Sequence, residues 1–356
     1  MKILITGGCA VSARSVLRSL KLSSIFRDAE FIGWDMCNLL YGVYAGEFDK
    51  LYKVPPVSSP EYRKVAQAIL DKEKPDAVIV VPEVEVLYWS QNPFNVPHIV
   101  PPAKFAELVI SKERLFDALA DTGLVPEYMN IPSSEIMKPD FHNLLGYPVW
   151  IRDGAAGTAS AKGAFKANSL DELQAWVKIN PNTSHFQLSQ FLPGRNLGCF
   201  CLFKDGKLIK MAQAQRIEYI MSKVAISGIT GNTSKGKLLN EEKIKNVALK
   251  AIELICKKTG ETMNGLVVVD MKEDQQGNPI ITEINIRHVA FSSSFATAGQ
   301  NISEAQLLLA LDRDNEITGS VEKVFPKENL LLRDVDGDPI YIEKENPIEI
   351  GEYYEK

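Results

Sequence analysis

The stretch that decides the fold is Gly265–Arg287, GLVVVDMKEDQQGNPIITEINIR. Two β-rich runs, Leu266–Lys272 and Pro279–Ile286, flank the turn Gln275-Gln276-Gly277-Asn278 and predict an antiparallel hairpin. A register set about Gln276 and Gly277 places Asp270 opposite Glu283, and the two-residue strand period puts Glu283, Asn285 and Arg287 on one face. Like charges directly across a strand pair are destabilising, so two facing carboxylates call for a bound cation. Mg²⁺ suits these donors. It takes hard oxygen ligands, usually one or two carboxylates plus substrate phosphates, and Asn285 adds a neutral amide oxygen. Arg287 would then face the phosphate that the metal holds. A solvated hairpin face with scattered acids is the plainer alternative, and it leaves the combination of Asp270, Glu283, Asn285 and Arg287 unexplained.

A second signal is residues 149–163, VWIRDGAAGTASAKG. Small residues, Gly157 and Thr158 among them, let backbone N–H groups approach an anion closely, and Arg152 and Lys162 frame the loop with positive charge. That pattern predicts a phosphate-covering lid, although on its own a surface hairpin accounts for it as well. A third is the run FQLSQFLPGRN, residues 186–196, a strand that leads through Pro193-Gly194 into the next strand.

On the Glu-x-Asn-x-Arg strand of residues 283–287, the acid on the strand before it and the following AFSSSFATAGQNI, the chain resembles the ATP-grasp ligases, most closely the carbamoyl phosphate synthetase large-subunit-like branch. The other segments extend the likeness over about nine tenths of the chain. Ile286 stands where the family usually has Pro, Asp153 departs from a Pro after the first basic residue, and Gln190 and Asn196 replace residues that are often Glu. The resemblance implies an N-terminal Rossmann-like α/β domain over residues 1–105 and an ATP-grasp domain over 106–318, α+β in part. It also implies a small lid at about 135–188 and a β-tail over 319–356. It implies ATP held by Lys112, Arg152, Gly157, Thr158, Lys162 and the hinge residues Gln190, Phe191, Leu192 and Asn196, with two Mg²⁺, replaceable by Mn²⁺, on Asp270, Glu283 and Asn285. The reaction it implies is phosphoryl transfer to a carboxylate followed by attack of an amine, with Arg287, Arg152 and Lys162 stabilising the transferring group. A carbamoyl-phosphate-type step on bicarbonate or carbamate is a close variant, and a homodimer is open to such a fold.

Composition fits that class. A chain of 356 residues, 45% hydrophobic and 24% charged, is ordinary for a globular protein of two or three domains. No apolar run reaches bilayer length, and MKILITGG reads as strand and turn, so a cytoplasmic protein is expected. A net charge of −5 without basic faces argues against nucleic acid as partner and leaves small-molecule carboxylates and amines. Five cysteines without metal-type spacing point to a reducing compartment, and Cys199 and Cys201, two apart on a strand, read as packing.

The first hundred residues alternate strand and helix and predict a parallel sheet, ending at the Pro-rich VPHIVPPAKF. The turn ITGGCAVS with Asp35 two elements on superficially matches a dinucleotide fingerprint, the basis for an NAD-dependent oxidoreductase or epimerase reading. Only Gly7 of its small-residue positions fits. Glu83 and Glu85 at a strand's C-terminal end could reach a substrate or be solvated loop acids. Arg216 at a strand end and the polar loop 227–234 are further candidate substrate contacts. His288 falls on the face opposite Arg287 and reads as packing, and Asp334–Asp338 as a hairpin turn rather than a calcium loop.

Overall fold

The computed structural model describes residues 1–37, 47–154, 164–220, 222–223, 230–333 and 348–355. The chain opens with β1 (Lys2–Thr6), α1 (Val11–Lys21), β2 (Glu30–Asp35), β3 (Lys50–Lys53), α2 (Tyr62–Glu73), β4 (Ala77–Ile79) and α3 (Glu83–Gln91). β1, β2, β3 and β4 pair in parallel, and β1 and β2 are buried nearly throughout, as strands covered on both faces must be. The expected parallel sheet is therefore present. α3 begins where the sequence suggested a loop: Pro82 is extended at its N-cap, and Glu83 and Glu85 in the first turn complement the helix dipole.

After α4 (Ala103–Val109) comes α5 (Lys112–Leu119), capped by Ser111 Oγ accepting from Arg114 N at 3.3 Å. A four-stranded antiparallel sheet follows, built from β5 (Tyr128–Pro132), β6 (Val149–Asp153), β7 (Phe165–Ala167) and β8 (His185–Gln190) in the order β5-β8-β6-β7. Between β5 and β6 lies the short α6 (Ser133–Ile136), and between β7 and β8 lies α7 (Leu170–Ile179), begun by the Ser169 cap. Val149, Ile151, Leu173, Phe186 and Leu188 give this unit a core of its own.

The third sheet has six strands in the order β13-β12-β9-β10-β11-β14. They are β9 (Asn196–Lys204), β10 (Lys207–Tyr219), β11 (Thr233–Leu239), β12 (Gly265–Glu273), β13 (Pro279–Asn285) and β14 (Leu331–Leu332). α8 (Glu242–Thr259) precedes β12, while α9 (Ser292–Thr297) and α10 (Ile302–Ala310) follow β13. The core beneath this sheet is continuous with that of the first: Trp34, Val78, Ile252, Val269 and Ile284 belong to one cluster. β15 (Tyr353–Glu355) returns to pair antiparallel with β3. Cys199 and Cys201 are buried with their sulfurs 3.7 Å apart, packed side by side as anticipated. Residues 334–347, which include Asp334–Asp338, lie outside the described residues. No helix among the described residues is long and apolar enough to cross a membrane.

Candidate functional site

The hairpin forms with Asp270 paired to Glu283, but its register is not uniform. Pairing from Val268 to Asp270 follows the register centred between Gln276 and Gly277, whereas Met271, Lys272 and Glu273 pair one residue closer, leaving Thr282 as the extra residue of a β-bulge. The bulge exchanges the faces of β13. Ile281, Ile284 and Ile286 all enter the core, and Glu283, Asn285 and Arg287 line a cleft of about 700 Å³ on the other side.

Asn285 Nδ2 donates to Asp270 Oδ2 at 3.2 Å and to Glu283 Oε1 at 3.4 Å. Burial first, and then Glu283, raise the Asp270 pKa to about 6 against the opposing pull of Arg216, whose Nη2 lies 2.5 Å from Asp270 Oδ1. Glu283 stays below the usual range: burial would raise it, but Lys112, 3.9 Å away, and Arg152 outweigh that. The two acids thus share their charge within a ring of cations.

Arg152 is buried. Its Nε and Nη2 donate to Gln187 Oε1 at 2.9 and 2.5 Å, Nη1 donates to the carbonyl of Thr282 at 2.9 Å, and its plane lies 4.8 Å from the Phe116 ring centre. Burial lowers its pKa to about 10, which keeps it charged at neutral pH. The hinge is anchored by Arg195, which donates to Glu273 Oε2 and Oε1 at 2.7 and 2.6 Å and to Glu241 at 2.7 Å. Gly194 N donates to Glu273 O at 2.9 Å, and a Cβ on Gly194 would sit 2.5 Å from the Cβ of Glu273, so only glycine permits the approach.

Of the expected contacts that fall on described residues, Glu83, Lys112, Arg152, Gln190, Phe191, Leu192, Asn196, Arg216, Asp270, Glu283, Asn285 and Arg287 meet in this one cleft, joined by Gly231, Asn232 and Thr233 of the polar loop, whereas Glu85 does not line it. Gly157, Thr158 and Lys162 lie outside the described residues. Some expectations change in detail. Arg216 does not end its strand, which runs on to Tyr219, and its guanidinium is engaged by Asp270. Glu85 is no solvated loop acid: it is 6% exposed, accepts from Trp34 Nε1 at 3.2 Å and is pushed by burial to about 7. Glu83 does line the cleft, raised by burial and held the other way by Arg287 and Lys112. Thr233 and Ser234, placed in a loop by the sequence, begin β11. His288 is buried between Ser292 and Gln306 and lowered by burial to about 4, a packed neutral ring.

Three cations were not foreseen. Lys166 and Lys272 lie 4.5 and 5.7 Å from the ring centre of Phe191, and Arg333 joins the wall from beyond β14. Lys272 was legible in principle, two residues from Asp270 and so on its face. Lys166 and Arg333 reach the cleft only through sheet pairing at long range. Seven cationic side chains and five carboxylates line the cleft among the described residues, a local positive excess in a chain of net charge −5. That balance suits a polyanion.

The dinucleotide reading meets a packed turn instead. A Cβ on Gly7, at φ +69°, would lie 2.6 Å from Pro82 Cγ, and Asp35 already accepts from the backbone N–H of Cys9 and Cys37 at 2.9 and 2.8 Å. The glycine serves packing, and the acid braces the turn.

No protein-family model matches the sequence, and no curated protein matches it. Solved structures do match. An L-amino acid ligase from Bacillus licheniformis shares 14% identity at a TM-score of 0.62, over 87% of this chain and 74% of that one. The biotin carboxylase–βγ-ATP complex from Campylobacter jejuni shares 14% at 0.60, over 90% and 72%. A protein of Archaeoglobus fulgidus described as an ATP-grasp superfamily member shares 15% at 0.53, over 86% and 87%. The chain has an ATP-grasp fold.

Proposed function

We propose that the protein is an ATP-dependent ligase that activates a carboxylate as an acyl phosphate and joins it to an amine. The observation that carries this is the Asp270–Glu283 pair facing the cleft beneath Arg152, Lys112 and Arg287. The likeness to an L-amino acid ligase and to a biotin carboxylase bound to an ATP analogue supports it.

The donors fit Mg²⁺. Two carboxylates oppose each other, Asp270 buried and Glu283 partly exposed toward the cleft, and rotation of the Asn285 amide exchanges its NH₂ for its oxygen at the same place. Among the described residues no three His, Cys, Asp or Glu cluster, so this would be an ion completed by phosphate oxygens rather than a caged one. Bound there, it would supply charge neutralisation at the phosphates.

The chain's own groups do the rest. The edge of Gln190–Leu192 would receive the base, and Asn196 the ribose. Arg152, fixed by Gln187 and Thr282, presents a guanidinium that cannot swing, so its charge is preorganised for the γ-phosphoryl group. In the first step a substrate carboxylate oxygen bonds to the γ-phosphorus as the bond to the β–γ bridging oxygen breaks, and ADP leaves. In the second the amine nitrogen attacks the acyl carbon, inorganic phosphate departs, and the surplus amine proton passes to phosphate or water. Arg287 would hold the acyl phosphate oxygens, and Lys162, Gly157 and Thr158 would belong to the covering loop. Glu83, which lines the cleft, would meet a substrate ammonium.

Hydroxylamine tests this directly, because it intercepts acyl phosphates as hydroxamates. With Mg²⁺, ATP and a panel of amino and simple acids, ADP release matched by hydroxamate is expected for at least one acid. A protein that binds no Mg²⁺–AMP-PNP in calorimetry would remove the basis for the assignment.

A further inference from the structure

Arg333 is one of the cleft's cations to which the nucleotide binding and phosphoryl transfer proposed above give no part. Arg333 follows β14, whose two residues pair with Lys235 and Gly236 of β11. Its N–H donates to Ser234 O at 2.7 Å and its Nη1 to Thr233 O at 3.1 Å, which fixes the side chain along the start of β11, in the cleft wall. Among the described residues it has no carboxylate in ion-pair contact. Burial, and then the like charge of Arg18 on α1, lower its pKa.

A half-buried guanidinium whose side-chain partner among the described residues is a backbone carbonyl, with another cation nearby, is unfavourable by itself, and an anion reverses the sign. Position says which anion. Sheet order puts β14 four strand spacings from β12, roughly 19 Å of backbone separation at about 4.8 Å per strand, on the far side from the Asp270–Glu283 pair. The hinge lies on the β12 side, since Gly194 and Arg195 are tied to Glu273 of that strand. Nucleotide phosphates gathered at Asp270 and Glu283 are therefore distant from Arg333, and the group it meets belongs to the other substrate.

We propose that Arg333 is a specificity residue for a substrate carrying a second oxyanion, a carboxylate or phosphate remote from the carboxylate that is activated. This deepens the ligase reading and rests on it. The guanidinium presents its remaining N–H edge to that oxyanion, while Arg287 serves the reacting end.

The test compares matched acids in the hydroxylamine assay: L-glutamate against L-norvaline for the carboxylate, O-phospho-L-serine against L-serine for the phosphate. At least one member of a pair with the extra oxyanion is expected to exceed its partner in kcat/KM by about tenfold or more. Arg333→Gln should abolish that advantage, chiefly by raising KM by about tenfold to a hundredfold, as loss of a desolvated charge pair does. Arg333→Lys should restore part of it. Which pair shows the gap tells carboxylate from phosphate. Equal rates within both pairs, or a gap that persists in Arg333→Gln, overturns the proposal. Calorimetry with Mg²⁺–AMP-PNP separates the two readings: no nucleotide binding removes the ligase assignment, whereas binding without an oxyanion preference removes only this inference.

Discussion

Arg152 Nη1 donates to the carbonyl of Thr282 at 2.9 Å, which ties the small sheet to the one residue that interrupts the hairpin's ladder. The interruption sets which side chains reach the cleft. With Thr282 kept but paired in a regular ladder, Ile281 and Ile284, three positions apart, would point to opposite faces, and Glu283 would share a face with Ile281. Deleting Thr282, by contrast, leaves Ile281 and Ile284 two positions apart in the core with Glu283 still toward the cleft, so its expected cost is the carbonyl that Arg152 Nη1 donates to, roughly 1.5 to 3 kcal/mol for a hydrogen bond to a charged group, with Mg²⁺-dependent nucleotide binding weakened rather than abolished. Thr282→Ala keeps the carbonyl and loses only the hydroxyl contact to Asp270 O, a change of about 1 kcal/mol. Denaturant melts and calorimetry on the two variants decide the matter, and a deletion variant that behaves like Thr282→Ala would refute the role given to the Thr282 carbonyl.

Asp270 should make nucleotide binding depend on pH. A metal needs the ionised carboxylate, and burial with Glu283 beside it raises the pKa to about 6 from 3.8. Affinity for Mg²⁺–AMP-PNP is expected to be flat above that value and to fall by up to tenfold per pH unit below it. In the metal-free protein the sign is opposite. The folded state holds the proton more tightly than the unfolded chain, so stability from this group is present below 3.8 and lost as pH rises through about 6. Titrating binding and melting temperature between pH 5 and 8 in Asp270→Asn should show both slopes reduced.

Glu273 acts in the ordinary direction. Its hydrogen bond with Arg195 outweighs burial and, with Lys243, brings its pKa to about 2 from 4.5. Its stabilisation is complete above 4.5 and fades as pH falls toward 2. Glu273→Gln should cost on the order of 2 kcal/mol at pH 7, reduced from the full shift because the partners are partly exposed. It should cost little at pH 2. Urea melts at the two pH values measure the difference, and an equal loss at both would contradict the ion-pair account.

Much of this was legible because strand period and residue chemistry coincide. Asp270 opposite Glu283 followed from one turn, and the Ser111 and Ser169 caps followed from side-chain type. Thr282 was not legible, since a bulge leaves no mark in alternation and arises where Arg152 and the core jointly reward the extra residue. α3 was missed because Pro82 before two acids looks like a loop until the helix dipole is considered. Lys166 and Arg333 entered the cleft through pairings between distant segments, which local sequence does not encode.

The hinge offers the sharpest steric test. Gly194 rests on β12 so closely that an added Cβ would meet Glu273 Cβ at 2.5 Å and Glu273 O at 2.8 Å, and the latter is backbone that has no other rotamer. In Gly194→Ala the turn must lift, carrying Leu192 and Phe191 on one side and the Arg195 ion pairs on the other. The expected loss is roughly 1 to 3 kcal/mol of stability, with nucleotide affinity down about tenfold because the base edge moves by a fraction of an ångström. The Asp270–Glu283 pair lies further along the hairpin and should keep its geometry, so the pH dependence of binding should survive in the variant. A Gly194→Ala protein that melts and binds Mg²⁺–AMP-PNP like the parent would show that the hinge does not set the nucleotide's position.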